Sequence, residues 1–195
     1  MKFSGIITQL NLPNLLSFIR LISVPFIIML LSQGGFKIAF ILFLFCGITD
    51  YLDGLIARKF KLQTKLGAFL DPLADKILTI SVFLTLTLKL PNQIFQIPVF
   101  MTILVISRDF LIVFVAFLLH LIFNMRDFPP TFLGKINTVI QIFAILIVIL
   151  SNIYQKIGFF LIYIYILIII SSVLSGFHYF FRTLKWLKKN AWEEK

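Results

Sequence analysis

Apolar residues along this chain gather into near-continuous runs and do not alternate with polar ones. The runs cover about 15–31, 36–57, 67–88, 94–121, 136–153 and 157–181. Each comes close to, or exceeds, the roughly 20 residues an α-helix needs to cross the hydrocarbon core of a bilayer. A membrane β-barrel is built from alternating strands of about 10 residues, and these runs have neither that period nor that length. The pattern predicts an all-α integral membrane protein with six transmembrane helices. Breakers fall between the runs: Pro13, Gly34-Gly35, the Lys89-Leu90-Pro91-Asn92 stretch and the Pro-containing loop at 124–135. Ahead of the first run, Phe3, Ile6, Ile7 and Leu10 are spaced as on one face of a surface-lying helix. A flexible terminus fits those residues equally well.

Composition supports the membrane reading. Of 195 residues 60% are hydrophobic and 13% charged, against about 45–50% and about 25% in soluble domains. The net charge of +10 invites a nucleic-acid reading, but its distribution excludes one. Arg58, Lys59, Lys61, Lys65, Arg126, Lys135, Arg182, Lys185, Lys188 and Lys189 lie in alternate loops and the C-terminal tail, while Lys37, Lys89 and Lys156 occupy the intervening turns. That asymmetry puts the basic loops, and both termini, on the cytoplasmic side. The cell inner membrane or plasma membrane is the expected site. The first run carries Arg20 and no small-residue cleavage site, so no cleavable signal is expected. Cys46 is a lone cysteine in an apolar run, and His120 and His178 stand far apart; none suggests a metal centre.

The chemistry gathers where the second run ends and the third begins. Asp50 and Asp53 share a helix face, as do Asp71 and Asp75, because residues three and four apart are neighbours on a helix. A short basic loop makes the two helices antiparallel, which lets the pairs converge. Four carboxylates at membrane depth repel one another and are costly to desolvate. Arg58 and Lys76 are the local cations, too few to pair with all four. Bound divalent cations resolve this, and oxygen-only ligands favour Mg²⁺, Mn²⁺ or Ca²⁺ over zinc. Two ions bridged by shared carboxylates suit chemistry on a phosphoryl group. Pro72 either kinks its helix or marks its start. Gly54, Gly67, Ala57 and Ala68 are small positions near the acidic faces, fitting close helix packing or a cleft where phosphates approach backbone. Arg58 projects from the Gly54 face and can clamp a phosphate bidentately.

Asp50-x₂-Asp53-Gly54-x₂-Ala57-Arg58-x₈-Gly67-x₃-Asp71-x₃-Asp75 resembles, at every fixed position, the signature of the CDP-alcohol phosphatidyltransferase family. The resemblance extends to the Leu12-Pro13-Asn14 start with Arg20 and Pro25. It implies transfer of a phosphatidyl group from CDP-diacylglycerol to a glycerol-containing acceptor, with release of CMP. By that resemblance Asp50, Asp53, Asp71 and Asp75 are metal ligands for two Mg²⁺ or Mn²⁺ ions, and Asp75 is the general base. Asp50, Gly54, Ala57, Arg58, Thr64 and Gly67 then cradle the CDP group. The family also implies a homodimer. On this reading 1–14 is a cytoplasmic or interfacial segment, 15–181 a six-helix transmembrane catalytic domain and 182–195 a basic cytoplasmic tail.

The acceptor is read from the second half. Arg108-Asp109 lies mid-run, where such a pair must face a polar cavity or tie the helices together. Arg108, Lys135 and Asn137 are the acceptor-binding candidates. The phosphatidylglycerophosphate-forming branch usually carries Arg-Glu, a second Arg eight residues on, and Gly-Lys-x-Lys-Thr. Here Asp109, Ala116 and Asn137 stand at the departing positions. Ser107-Arg108-Asp109, Lys135-Ile136-Asn137-Thr138 and Ser175-Gly176-Phe177-His178 look instead like the CMP-forming cardiolipin synthases. The expectation is therefore cardiolipin from phosphatidylglycerol, with glycerol 3-phosphate as the alternative acceptor. A membrane transporter would distribute its acidic residues along a path or repeat them in two halves; here they cluster once.

Overall fold

The structure, a computed structural model, describes residues 12–59, 65–123 and 131–190. Its helices are α1 (Leu12–Ser32), α2 (Phe36–Lys59), α3 (Lys65–Thr87), α4 (Val99–Phe123), α5 (Phe132–Ile153) and α6 (Leu161–Asn190), with a 3₁₀ turn at Gln155–Phe160. No strand occurs among the described residues.

The expectation of six membrane-crossing helices is corrected. Among the described residues four stretches are long and apolar enough to cross a bilayer: Leu15–Ser32, Val99–Leu119, Phe132–Ile153 and Gln155–Lys185. α2 and α3 have the length, at 24 and 23 residues, but charge interrupts them. α2 begins with Lys37 and ends with Asp50, Asp53, Arg58 and Lys59. α3 carries Lys65, Asp71, Asp75 and Lys76 in its first half, so its uncharged part runs only over 77–87. That is about half of what the hydrocarbon core demands. Both helices have the length of a span, but the acidic motif lies inside them.

Two further boundaries move. The fourth run was expected to start near 94, yet α4 starts at Val99. Asn152 draws the preceding segment out of the helix: its Oδ1 accepts from the backbone N–H of Ile94 at 2.7 Å and of Phe95 at 3.0 Å, and its Nδ2 donates to the Phe95 carbonyl at 2.9 Å. α5 starts at Phe132, four residues ahead of the apolar run, because Thr131 caps it; the Gly134 N–H donates to Thr131 Oγ1 at 3.1 Å. Pro72 does not mark a helix start, since α3 is already helical from Lys65.

The chain divides into two compact units. The first draws on Met1–Gln96 and Ile145–Gly158. In it α1 packs on both α2 and α3, burying Val24, Ile27 and Leu31 with Ala39, Phe43, Leu78, Val82, Phe83 and Leu86. The turn between α1 and α2 closes on Gly34, whose φ of 75° and N–H to the Leu31 carbonyl at 2.9 Å end α1 in a left-handed cap. A Cβ there would also stand 3.0 Å from the Pro91 carbonyl oxygen. The second unit draws on Ile97–Ala144 and Phe159–Lys195. In it α4 packs on α6; Met101, Val105, Leu119 and Ile168 are buried. Phe110, Phe114 and Phe117 of α4 and Phe177, Phe180 and Phe181 of α6 are exposed, as suits helices whose solvent is lipid.

Candidate active site

Three carboxylates of the acidic motif meet side chains of α1 in the first unit. Ser17 and Arg20 lie one turn apart and so share a face of α1. Arg20 is 1% exposed, buried among α1, α2 and α3. Its Nη1 donates to Asp75 Oδ1 at 2.6 Å, and its Nη2 lies 2.7 Å from Asp50 Oδ1. The hydroxyl of Ser17 donates to Asp71 Oδ1. Carboxylates from two helices are thus gathered onto donors from a third. Asp50 and Asp75 keep about 40% and 39% of their side-chain surface exposed. They are half-exposed carboxylates paired with a buried guanidinium.

Arg20 is the residue that reading the sequence missed. Arg58 and Lys76 are the cations nearest the aspartates in sequence, and Arg20 is 30 residues ahead of Asp50. The signal was present in the first run: an arginine in an apolar segment must find an anion, and the partners lie on the next two helices. Ser17 gave no comparable signal.

The motif's other members are only partly described. Asp53, Gly54, Ala57, Arg58 and Gly67 lie on the helical backbone of α2 and α3, but their side chains fall outside the described residues, as does Thr64 altogether. Among the described residues no group of three or more acidic, histidine or cysteine side chains is placed to hold a metal ion. The donor set still fits a hard cation. Asp50, Asp71 and Asp75 offer only oxygen, and one guanidinium leaves three carboxylates with a net negative charge.

A second polar group occupies the other unit. Arg108 and Asp109 are 9% and 6% exposed; Arg108 Nη1 donates to Asp109 Oδ1 at 2.6 Å, and Nη2 donates to the Ser175 hydroxyl on α6. Gly134 lets α5 pass close by: a Cβ there would sit 3.4 Å from Arg108 Nη2. Asn137 is fully buried, its Oδ1 accepting from Ser171 at 2.7 Å and Ser172 at 3.0 Å. Lys135 is exposed near the start of α5. Of the three acceptor candidates, then, Arg108 and Asn137 are tied to α6 while Lys135 projects outward.

Together these features define a multi-pass helical membrane protein with a carboxylate site. The model of the CDP-alcohol phosphatidyltransferase family matches residues 10–177, and the chain belongs to that family. At this level the chemistry is that of a CDP-alcohol phosphatidyltransferase, a phosphotransferase. The chain is 36% identical over 145 residues to the CDP-diacylglycerol–glycerol-3-phosphate 3-phosphatidyltransferase of Rickettsia typhi, covering 73% of this chain and 78% of that protein. It is 33% identical over 180 residues to the enzyme of that name in Aquifex aeolicus, covering 92% and 97%. It is 34% identical over 151 residues to the cardiolipin synthase (CMP-forming) of Homo sapiens, covering 69% of this chain but 48% of that protein.

Proposed function

We propose that this protein transfers the phosphatidyl group of CDP-diacylglycerol to glycerol 3-phosphate, giving phosphatidylglycerophosphate and CMP. The reading is carried by the similarity to proteins named for that reaction, which runs along 78% and 97% of their length. The cardiolipin synthases are matched over less than half of theirs, at 46% and 48%. This favours glycerol 3-phosphate over the phosphatidylglycerol expected from Asn137 and Ala116. Cardiolipin formation stays as the second reading on one observation: Asn137, where the other branch carries Lys, is buried against Ser171 and Ser172 and brings no positive charge to a phosphomonoester.

In this mechanism Asp50, Asp53 and Asp71 would hold divalent cations, Mg²⁺ or Mn²⁺, with Asp75 beside them. A cation held there would supply positive charge against the negative charge that develops on the departing CMP phosphate. Asp75 takes the proton of the acceptor hydroxyl as its oxygen bonds to the β-phosphorus. The bond from that phosphorus to the bridging oxygen breaks, and the electron pair leaves with CMP. Arg58 would clamp a CDP phosphate bidentately, with Gly54, Ala57 and Gly67 as the small positions of the CDP cradle; Thr64, the remaining candidate, falls outside the described residues. Arg108, Lys135 and Asn137 of the second unit are the acceptor-binding candidates, and Lys135 is the exposed charge among them. Most of this is positioning and electrostatics, as is general for phosphoryl transfer.

The Lys/Arg asymmetry supports a site facing the cytoplasm of an inner or plasma membrane. Labelling of Lys61→Cys by an impermeant reagent in intact cells would contradict that orientation. The reaction itself is tested by the lipid formed when CDP-diacylglycerol is supplied with each acceptor in turn.

A further inference from the structure

We infer that Arg20, with Ser17 one turn before it, is a positioning residue that sets the geometry of the metal-binding carboxylates from outside the acidic motif. The inference rests on those carboxylates holding a divalent ion, and it adds α1 to the machinery. Asp50 and Asp75 are borne by different helices, and like charges drive them apart. Arg20 opposes that separation through one oxygen of each, at 2.7 and 2.6 Å. A planar guanidinium presents its N–H groups in a fixed fork, so its two ends fix a spacing and a direction that a point charge does not. Ser17 does the same for Asp71 through a single hydroxyl. The donors sit on a face of α1 that packs on both α2 and α3, and Arg20 is 1% exposed, so its position is set by the core. Partners that orient a metal's ligands in this way typically contribute 10–100-fold to metal affinity.

The test measures Mn²⁺ binding to the full-length protein in mild detergent, by the loss of the free-ion electron paramagnetic resonance signal, alongside thermal unfolding. Arg20→Lys keeps the charge and removes the fork, so electrostatics alone predicts no change. The expected result is Mn²⁺ affinity lower by about 10-fold or more, and a raised Mg²⁺ requirement for turnover, in a variant that still unfolds cooperatively. Ser17→Ala, which keeps Arg20, shifts affinity in the same direction by a smaller factor and serves if Arg20→Lys does not fold. Unchanged affinity in a folded variant overturns the inference. So does tighter binding in Arg20→Lys, which would make Arg20 a competitor of the ion. A wild-type protein that binds no Mn²⁺ overturns the metal reading, and this inference with it.

Discussion

Arg108 and Asp109, adjacent in the chain, form an ion pair inside the second unit, with Nη1 to Oδ1 at 2.6 Å and neither residue more than 9% exposed. Neighbours on a helix point about 100° apart, so this pairing needs the long arginine to fold back over the aspartate. Its other end donates to Ser175 of α6. The pair therefore satisfies a buried cation and ties α4 to α6 with the same side chain.

Removing one partner leaves the other charged and buried. Asp109→Ala is expected to destabilise the protein by about 3–5 kcal/mol, the usual scale for breaking a buried ion pair. The double variant Arg108→Met/Asp109→Leu is expected to regain at least half of that loss, because it removes both charges. Thermal unfolding in detergent measures both. A double variant as unstable as the single one would show that the Ser175 contact, and not the pair, holds α4 to α6.

The three described carboxylates carry more negative charge than Arg20 neutralises. Chelation is expected to abolish CMP release, and added Mg²⁺ or Mn²⁺ to restore it. The check is CMP release before and after exhaustive treatment with a chelator. Full turnover in rigorously metal-free protein would remove the metal from the mechanism.

Asp75 differs from its neighbours in its proposed role. Asp75→Asn keeps the size and one oxygen, and removes the basicity. Turnover at saturating metal is expected to fall by about 10²-fold or more, the usual contribution of a general base, with CDP-lipid binding retained. Near-normal turnover would end the general-base assignment, and loss of CDP-lipid binding would place Asp75 with the metal scaffold.

Much of this arrangement was legible in the residues, and what was not has identifiable causes. The apolar runs located the six long helices of the described residues, because a helix satisfies its backbone internally and reads as a long unbroken segment. They misjudged how many of these helices are apolar enough to cross, since the charges of the acidic motif fall inside α2 and α3. The i,i+3 and i,i+4 rule put Asp71 and Asp75 on one face, but no local rule connects either to Ser17 or Arg20, more than fifty residues away. That link is tertiary. The shift of α4 to Val99 had the same origin, because Asn152, which holds the preceding segment, lies 57 and 58 residues further on. Acceptor choice was read from three substitutions near α4 and α5; similarity along the whole chain supports the other acceptor.

The lipid product decides between the two acceptors. Purified protein in detergent or vesicles is given CDP-diacylglycerol, Mg²⁺ and either glycerol 3-phosphate or phosphatidylglycerol, and the lipid products are separated and identified by mass. The expected result is phosphatidylglycerophosphate with stoichiometric CMP from glycerol 3-phosphate, and little or no cardiolipin from phosphatidylglycerol. Cardiolipin from phosphatidylglycerol, with glycerol 3-phosphate left unreacted, would contradict it.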